Sequence, residues 1–132
     1  MKVLFLNLGH QATPHASPEG VEVHRVDCPV PNLRDPSDPV EVAEVALALV
    51  RGQADHLRSA LQNGERIVVA LPGASGVAAA VVAALTGLLG FLPSILVATR
   101  TEAGGFVYDL GKALDLSGVR EMARGLRTEL GF

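Results

Sequence analysis

The chain has 132 residues, of which 48% are hydrophobic and 19% charged, with a formal net charge of −3 and a single cysteine. That length fits one domain with a core of its own. The negative balance argues against general binding to duplex DNA or long RNA, which relies on clustered Lys and Arg, and lone Cys28 leaves no partner for an intramolecular disulfide or a cysteine-cluster metal site.

Lys2 to Leu8 is an apolar run and predicts a central strand, ending in the polar and flexible Asn7-Leu8-Gly9-His10. No secretory leader is expected from so short a run, which makes the cytoplasm the default location. Gln11 to Gly20 holds Pro14, Pro18 and Gly20, and leaves room for at most a short helical turn around Thr13 to Glu19. Val21, Val23 and Val26 mark a second, more polar strand carrying His24 and Arg25, which suits a sheet edge. Cys28 to Pro39 has four prolines and reads as a loop. Asp38 followed by Pro39 is a helix start, with Glu41 and Glu44 in the first turns. The helix is expected from Pro39 to Gln62, with Gly52 as a point of bending or breakage and Asn63-Gly64 as the stop.

Arg66 to Arg100 carries no charge between its terminal arginines. Ile67 to Leu71 and Ile95 to Thr99 are short β-branched runs, and Val77 to Leu89 is an apolar helix between them, so the stretch predicts a βαβ unit with parallel strands covered on both faces. Pro72, Gly73, Ser75, Gly76, Gly87, Gly90 and Pro93 divide it into pieces too short to cross a bilayer. Arg100 to Gly105 is a polar loop, and Phe106 to Leu110 a short fifth strand. Asp115 or Ser117 caps a last helix, Val119 to Leu130, with Arg120, Arg124 and Arg127 on a common, solvated face. The expected fold is therefore α/β and Rossmann-like: one domain, with a mostly parallel sheet of four to five strands flanked by helices. So apolar a composition predicts a homo-oligomer, most simply a twofold dimer.

If the first and third strands run parallel and adjacent, their carboxyl ends share one sheet edge, which brings His10 near Ser75. The turn Leu71-Pro72-Gly73-Ala74-Ser75-Gly76 joins a strand to a helix, where free backbone N–H groups gather and anions bind. It lacks the lysine and length of an ATPase phosphate loop, and it is neither GxGxxG nor GxSxG. Ser75 can serve as the helix cap, as an anion ligand, or as both. His10 is the best single candidate for a general acid or base, because an unperturbed imidazole titrates near neutrality. His15, His24 and His56 lack mutual metal-ligand spacing and read as surface residues, so no metal is expected. Arg100 can either engage a phosphate or pair with Glu102.

The strand ending in Asn7-Leu8-Gly9-His10, the turn Leu71 to Ser75, the segment Thr86-Gly87-Leu88-Leu89-Gly90-Phe91-Leu92-Pro93 and the closing strand and helix resemble the small CRISPR-associated proteins of the Csx group, which accompany type III systems and bind or degrade cyclic oligoadenylate messengers. The resemblance extends over nearly the whole chain. It implies a CARF-like subunit that works as a homodimer or larger homo-oligomer, without a cofactor, and seats the cyclic nucleotide across the twofold axis. Ring nucleases of this kind open the ring through a ribose 2′-hydroxyl, without metal.

By position, the family's polar strand end falls on Asn7, Gly9 and His10, and its Gly/Ser turn on Gly73, Ala74 and Ser75. The expected ligand-binding set adds Gln11, Gly76 and Arg100, and His10 and Ser75 are the expected catalytic pair. Three functions stay open on the sequence: a ring nuclease, a protein that sequesters the same ligand, and a structural subunit that assembles through its apolar helix.

Overall fold

Two apolar runs with no room for a helix must satisfy their backbone polar groups in a sheet, and the first and third runs do so against each other. β1 (Lys2–Asn7) pairs in parallel with β4 (Arg66–Ala70), placing Leu4 beside Ile67 and Leu6 beside Val69. The computed structural model describes all 132 residues. Between these strands the chain forms β2 (His15–Ala16), β3 (Glu22–Asp27), α1 (Pro39–Gly52) and α2 (Ala54–Gln62). After β4 come α3 (Ser75–Leu89), β5 (Ser94–Leu96), β6 (Thr99–Arg100), β7 (Phe106–Asp109), a 3₁₀ turn (Leu110–Lys112), β8 (Leu114–Asp115), α4 (Leu116–Gly125) and α5 (Arg127–Leu130).

The main sheet has the order β3-β1-β4-β5-β8, parallel except for β8, which runs antiparallel to β5. The result is a single-domain α/β fold, a Rossmann-like five-stranded sheet flanked by helices. Side chains alternate across the strands, so Leu4, Leu6, Ile67 and Val69 face one layer, built from α1, α2 and α3 through Ala46, Val50, Leu57, Ala60, Val77, Val81 and Leu85. Val3, Phe5, Val68 and Ala70 face the opposite way, against Leu96, Tyr108 and Leu110. That second face is covered by a small sheet, β2-β7-β6, rather than by helices. Burial of each large apolar side chain in these two layers contributes about 1.5 to 3 kcal/mol.

From β1 the chain moves to one side, to β3, and then returns across β1 to β4 and β5. β1 and β4 therefore flank the point where the direction of winding reverses, and a crevice opens outside their carboxyl ends.

Several elements differ from the sequence reading. The expected long helix breaks into α1 and α2 at Gln53, next to the anticipated Gly52. No helical turn forms around Thr13 to Glu19; His15 and Ala16 instead pair in parallel with Tyr108 and Asp109. Ile95 to Thr99 is not one strand. Ser94–Leu96 stays in the main sheet, while Thr99–Arg100 leaves it to pair antiparallel with Phe106 and Val107. The last helix begins a turn earlier than expected, at Leu116 with Asp115 as its cap, and is interrupted at Leu126. No helix is long and apolar enough to cross a membrane.

Candidate functional site

The floor of the crevice is set by Asn7, the last residue of β1. Its side chain is fully buried (0% exposed), and it donates through Nδ2 to Asp27 Oδ1 at 2.9 Å and to the His10 carbonyl at 3.0 Å. Its Oδ1 accepts from the Gly9 N–H at 3.0 Å. Gln11 completes the clamp by donating to the carbonyls of Asn7 and Gly9. A buried amide with so many partners fixes a turn. Asn7 is thus a positioning residue and not the ligand contact expected from the sequence, since no surface of it is left for a ligand to touch.

Gly9 is required by a close approach. A Cβ there would collide with the Tyr108 hydroxyl and come within 3.1 Å of the Leu71 carbonyl. Tyr108, on β7, rises from below the sheet, and its Oη accepts from the His10 N–H at 3.0 Å. Its ring meets Phe5 edge to face, with centroids 5.5 Å apart.

On the other side of the turn, α3 begins at Ser75. Ala74 holds the cap position in extended backbone, and no side chain caps the helix. Ser75 is therefore the first helical residue and not the cap proposed for it. The N–H groups of Ser75, Gly76 and Val77 precede the first intrahelical bond, from the Ala78 N–H to the Ala74 carbonyl at 2.9 Å, and they point beyond the helix start.

Two depressions meet here, sharing His10 and Leu71 to Gly73 as a common wall. The larger, about 640 Å3, adds Gly9, Gln11, Ala74 and the proline-rich loop with Asn32. The smaller, about 400 Å3, adds Ser75, Ile95 to Ala98 and Tyr108. The expected meeting of His10 and Ser75 holds: both line this smaller crevice.

Gly76 lies outside both depressions, on the side of α3 nearest Val42 of α1. Arg100 also lies outside, in the β6–β7 hairpin with its guanidinium 5.7 Å from the Phe106 ring centre. The break at Val97–Ala98 carries the chain away from the crevice before Arg100 is reached. No Lys, Arg, Asp or Glu lines either depression.

Sequence reasoning passed over Arg25, Asp27 and Tyr108, which come together only through tertiary pairing. Arg25 lies over the Phe5 ring, donates to the Gln11 and Thr13 carbonyls at 3.1 and 2.8 Å, and binds Asp27 at 2.9 Å. Desolvation opposes ionisation of Asp27, but hydrogen bonds from Arg25 and Asn7 outweigh it and hold the carboxyl below the ordinary carboxylate range. His15 touches Arg25 at 3.2 Å, so it is not the plain surface residue expected, and burial together with the Arg25 charge lowers its pKa.

Cys28 is buried, and desolvation followed by the Asp27 charge pushes its thiol up. His24 and His56 meet edge to face at 5.4 Å, and no group of three His, Cys, Asp or Glu stands where it could hold a metal ion. The chain matches no protein-family model, and neither the curated proteins nor the solved structures include a significant match to it.

Proposed function

We propose that the protein binds a cyclic oligoadenylate, most simply cyclic tetra-adenylate, across the twofold axis of a homodimer in the cytoplasm and opens the ring, switching off type III CRISPR signalling. The observation that carries this reading is the presence of His10 and Ser75 in one crevice beside the uncapped first turn of α3. A phosphate oxygen at that turn would accept from backbone N–H groups, and the dimer axis would present the same site twice.

In the reaction, the ribose 2′-oxygen attacks the adjacent phosphorus as its proton leaves to a base, the bond from phosphorus to the 5′-oxygen breaks, and that oxygen takes up a proton. The product is linear, with a 2′,3′-cyclic phosphate at one end and a 5′-hydroxyl at the other. His10 would carry one of the two proton transfers. In-line attack also needs the three reacting atoms held on one axis, which is a matter of how the crevice seats the ring.

One observation favours a second reading, sequestration of the same ligand without turnover: His10 and the Tyr108 phenol are the only ionisable groups lining the two depressions. Incubating the purified protein with excess cyclic tetra-adenylate and a chelator separates the two. Linear product supports the nuclease, a stoichiometric complex with intact ring supports sequestration, and absence of binding ends both.

A further inference from the structure

The Tyr108 hydroxyl has a donor but no acceptor. Its oxygen receives the His10 N–H at 3.0 Å, whereas its own proton meets no acceptor within the protein. The residue is 3% exposed and lines the smaller crevice together with Gly73, Ser75 and His10. A buried hydroxyl usually satisfies its proton, because leaving it unmade costs the desolvation of that group. The same crevice is bordered by the start of a fifteen-residue helix whose first N–H groups are also without acceptors. Two independent elements, β7 through Tyr108 and the start of α3 through Ser75, therefore bring unused donors to the lining of one crevice, and no carboxylate there competes for them.

We propose that Tyr108 is a ligand-contacting residue whose O–H donates to a phosphate or phosphodiester oxygen seated on the first turn of α3. The inference rests on reading this crevice as a phosphate site, but not on the identity of the cyclic ligand. It gives the small sheet a role in binding, because β7 carries the hydroxyl and is held by the Tyr108 N–H bond to the Pro14 carbonyl at 2.9 Å. An occupied site would tie β7, the loop after β1 and the helix start to a single anion.

The chain contains one tyrosine and no tryptophan, so tyrosine emission reports this hydroxyl alone. The test titrates the full chain with inorganic phosphate, which does not absorb in that range, and follows emission and the backbone amide shifts of Ser75 to Val77 in parallel. The expected result is saturable quenching at the phosphate concentration that also moves those amides. Tyr108→Phe, which keeps the ring against Phe5, should weaken phosphate binding about tenfold by the amide shifts.

Amide shifts with unchanged tyrosine emission would overturn the contact and leave Tyr108 as a prop for the His10 loop, as would undiminished affinity in the phenylalanine variant. Absence of phosphate binding by both readouts would also overturn it. Cyclic tetra-adenylate, run separately by calorimetry, keeps the two ideas apart. Phosphate binding without cyclic-nucleotide binding retains the Tyr108 site and removes the proposed function; the reverse does the opposite.

Discussion

Asn7 Nδ2 donates to Asp27 Oδ1 at 2.9 Å, joining the last residues of two neighbouring parallel strands underneath the crevice. Replacing Asn7 by alanine takes the acceptor from the Gly9 N–H and leaves a gap at a fully buried position, while Asp27, 44% exposed, keeps Arg25 as its partner. The expected loss is about 1 to 3 kcal/mol of stability by urea unfolding, with faster hydrogen exchange at Gly9. Unchanged stability would show that the amide does not hold the turn.

The start of α3 offers a gain instead of a loss. Because Ala74 is the cap residue and Ser75 is not, Ser75→Ala should change thermal stability little, while Ala74→Ser supplies the missing acceptor and should add about 1 kcal/mol. The same new oxygen would compete with any anion for the helix N–H groups. Ala74→Ser should therefore be more stable and bind cyclic tetra-adenylate more weakly, and a variant improved in both respects would remove the helix start from the site.

His10 bears on turnover. If it transfers a proton, His10→Ala should lower the rate of ring opening by about a hundredfold or more while changing affinity only a few fold. Single-turnover kinetics beside direct binding measurements decide the point. Equal losses in both would make His10 a contact and nothing else.

Stability should fall on acidification in two stages. His15 takes up its proton less readily in the fold than in the unfolded chain, and so does Asp27. Where the unfolded chain binds more protons, stability rises with pH. The His15 contribution is thus complete above its ordinary pKa of 6.5 and declines below it, and the Asp27 contribution is complete above 3.8 and is lost as the pH drops further. Chemical unfolding at a series of pH values should show both slopes, and His15→Gln should abolish the upper one while reducing the lower one slightly, because the His15 charge helps to hold Asp27 ionised.

α4, α5 and the Leu126 junction between them carry Val119, Met122, Leu126 and Leu130 at helical spacing, and Met122, Leu130 and Phe132 are 70%, 62% and 87% exposed. Together they leave a contiguous run of exposed apolar side chains, the kind of surface that marks an interaction site. A second copy of the chain is the occupant expected of the proposed dimer. Met122→Glu combined with Leu126→Glu should give a monomer by sedimentation if this strip is the interface, and an unaltered dimer would put the twofold axis elsewhere.

The runs Lys2 to Leu8 and Ile67 to Leu71 disclosed the central strands and the crevice because an apolar segment too short for a helix has few other ways to satisfy its backbone. Asp38-Pro39 and Asn63-Gly64 likewise marked helix boundaries through local chemistry that needs no tertiary partner. The small sheet was out of reach of such signals. His15 and Ala16 become a strand only because Tyr108 and Asp109 lie beside them, more than ninety positions along the chain. The position of Arg100 outside the two depressions was hidden for a related reason, since nothing local in Ile95 to Thr99 announces that the chain changes sheets at Val97. Asn7 was found but given the wrong task, because sequence cannot tell an amide that meets a ligand from one that holds up the residues around it.

The change of sheets between Leu96 and Thr99 has its own consequence. Val97 and Ala98 belong to neither ladder, yet both border the smaller crevice. No backbone hydrogen bond ties that stretch of wall to a neighbouring strand, so its side chains can be exchanged to reshape the rim without touching the bonds of either ladder.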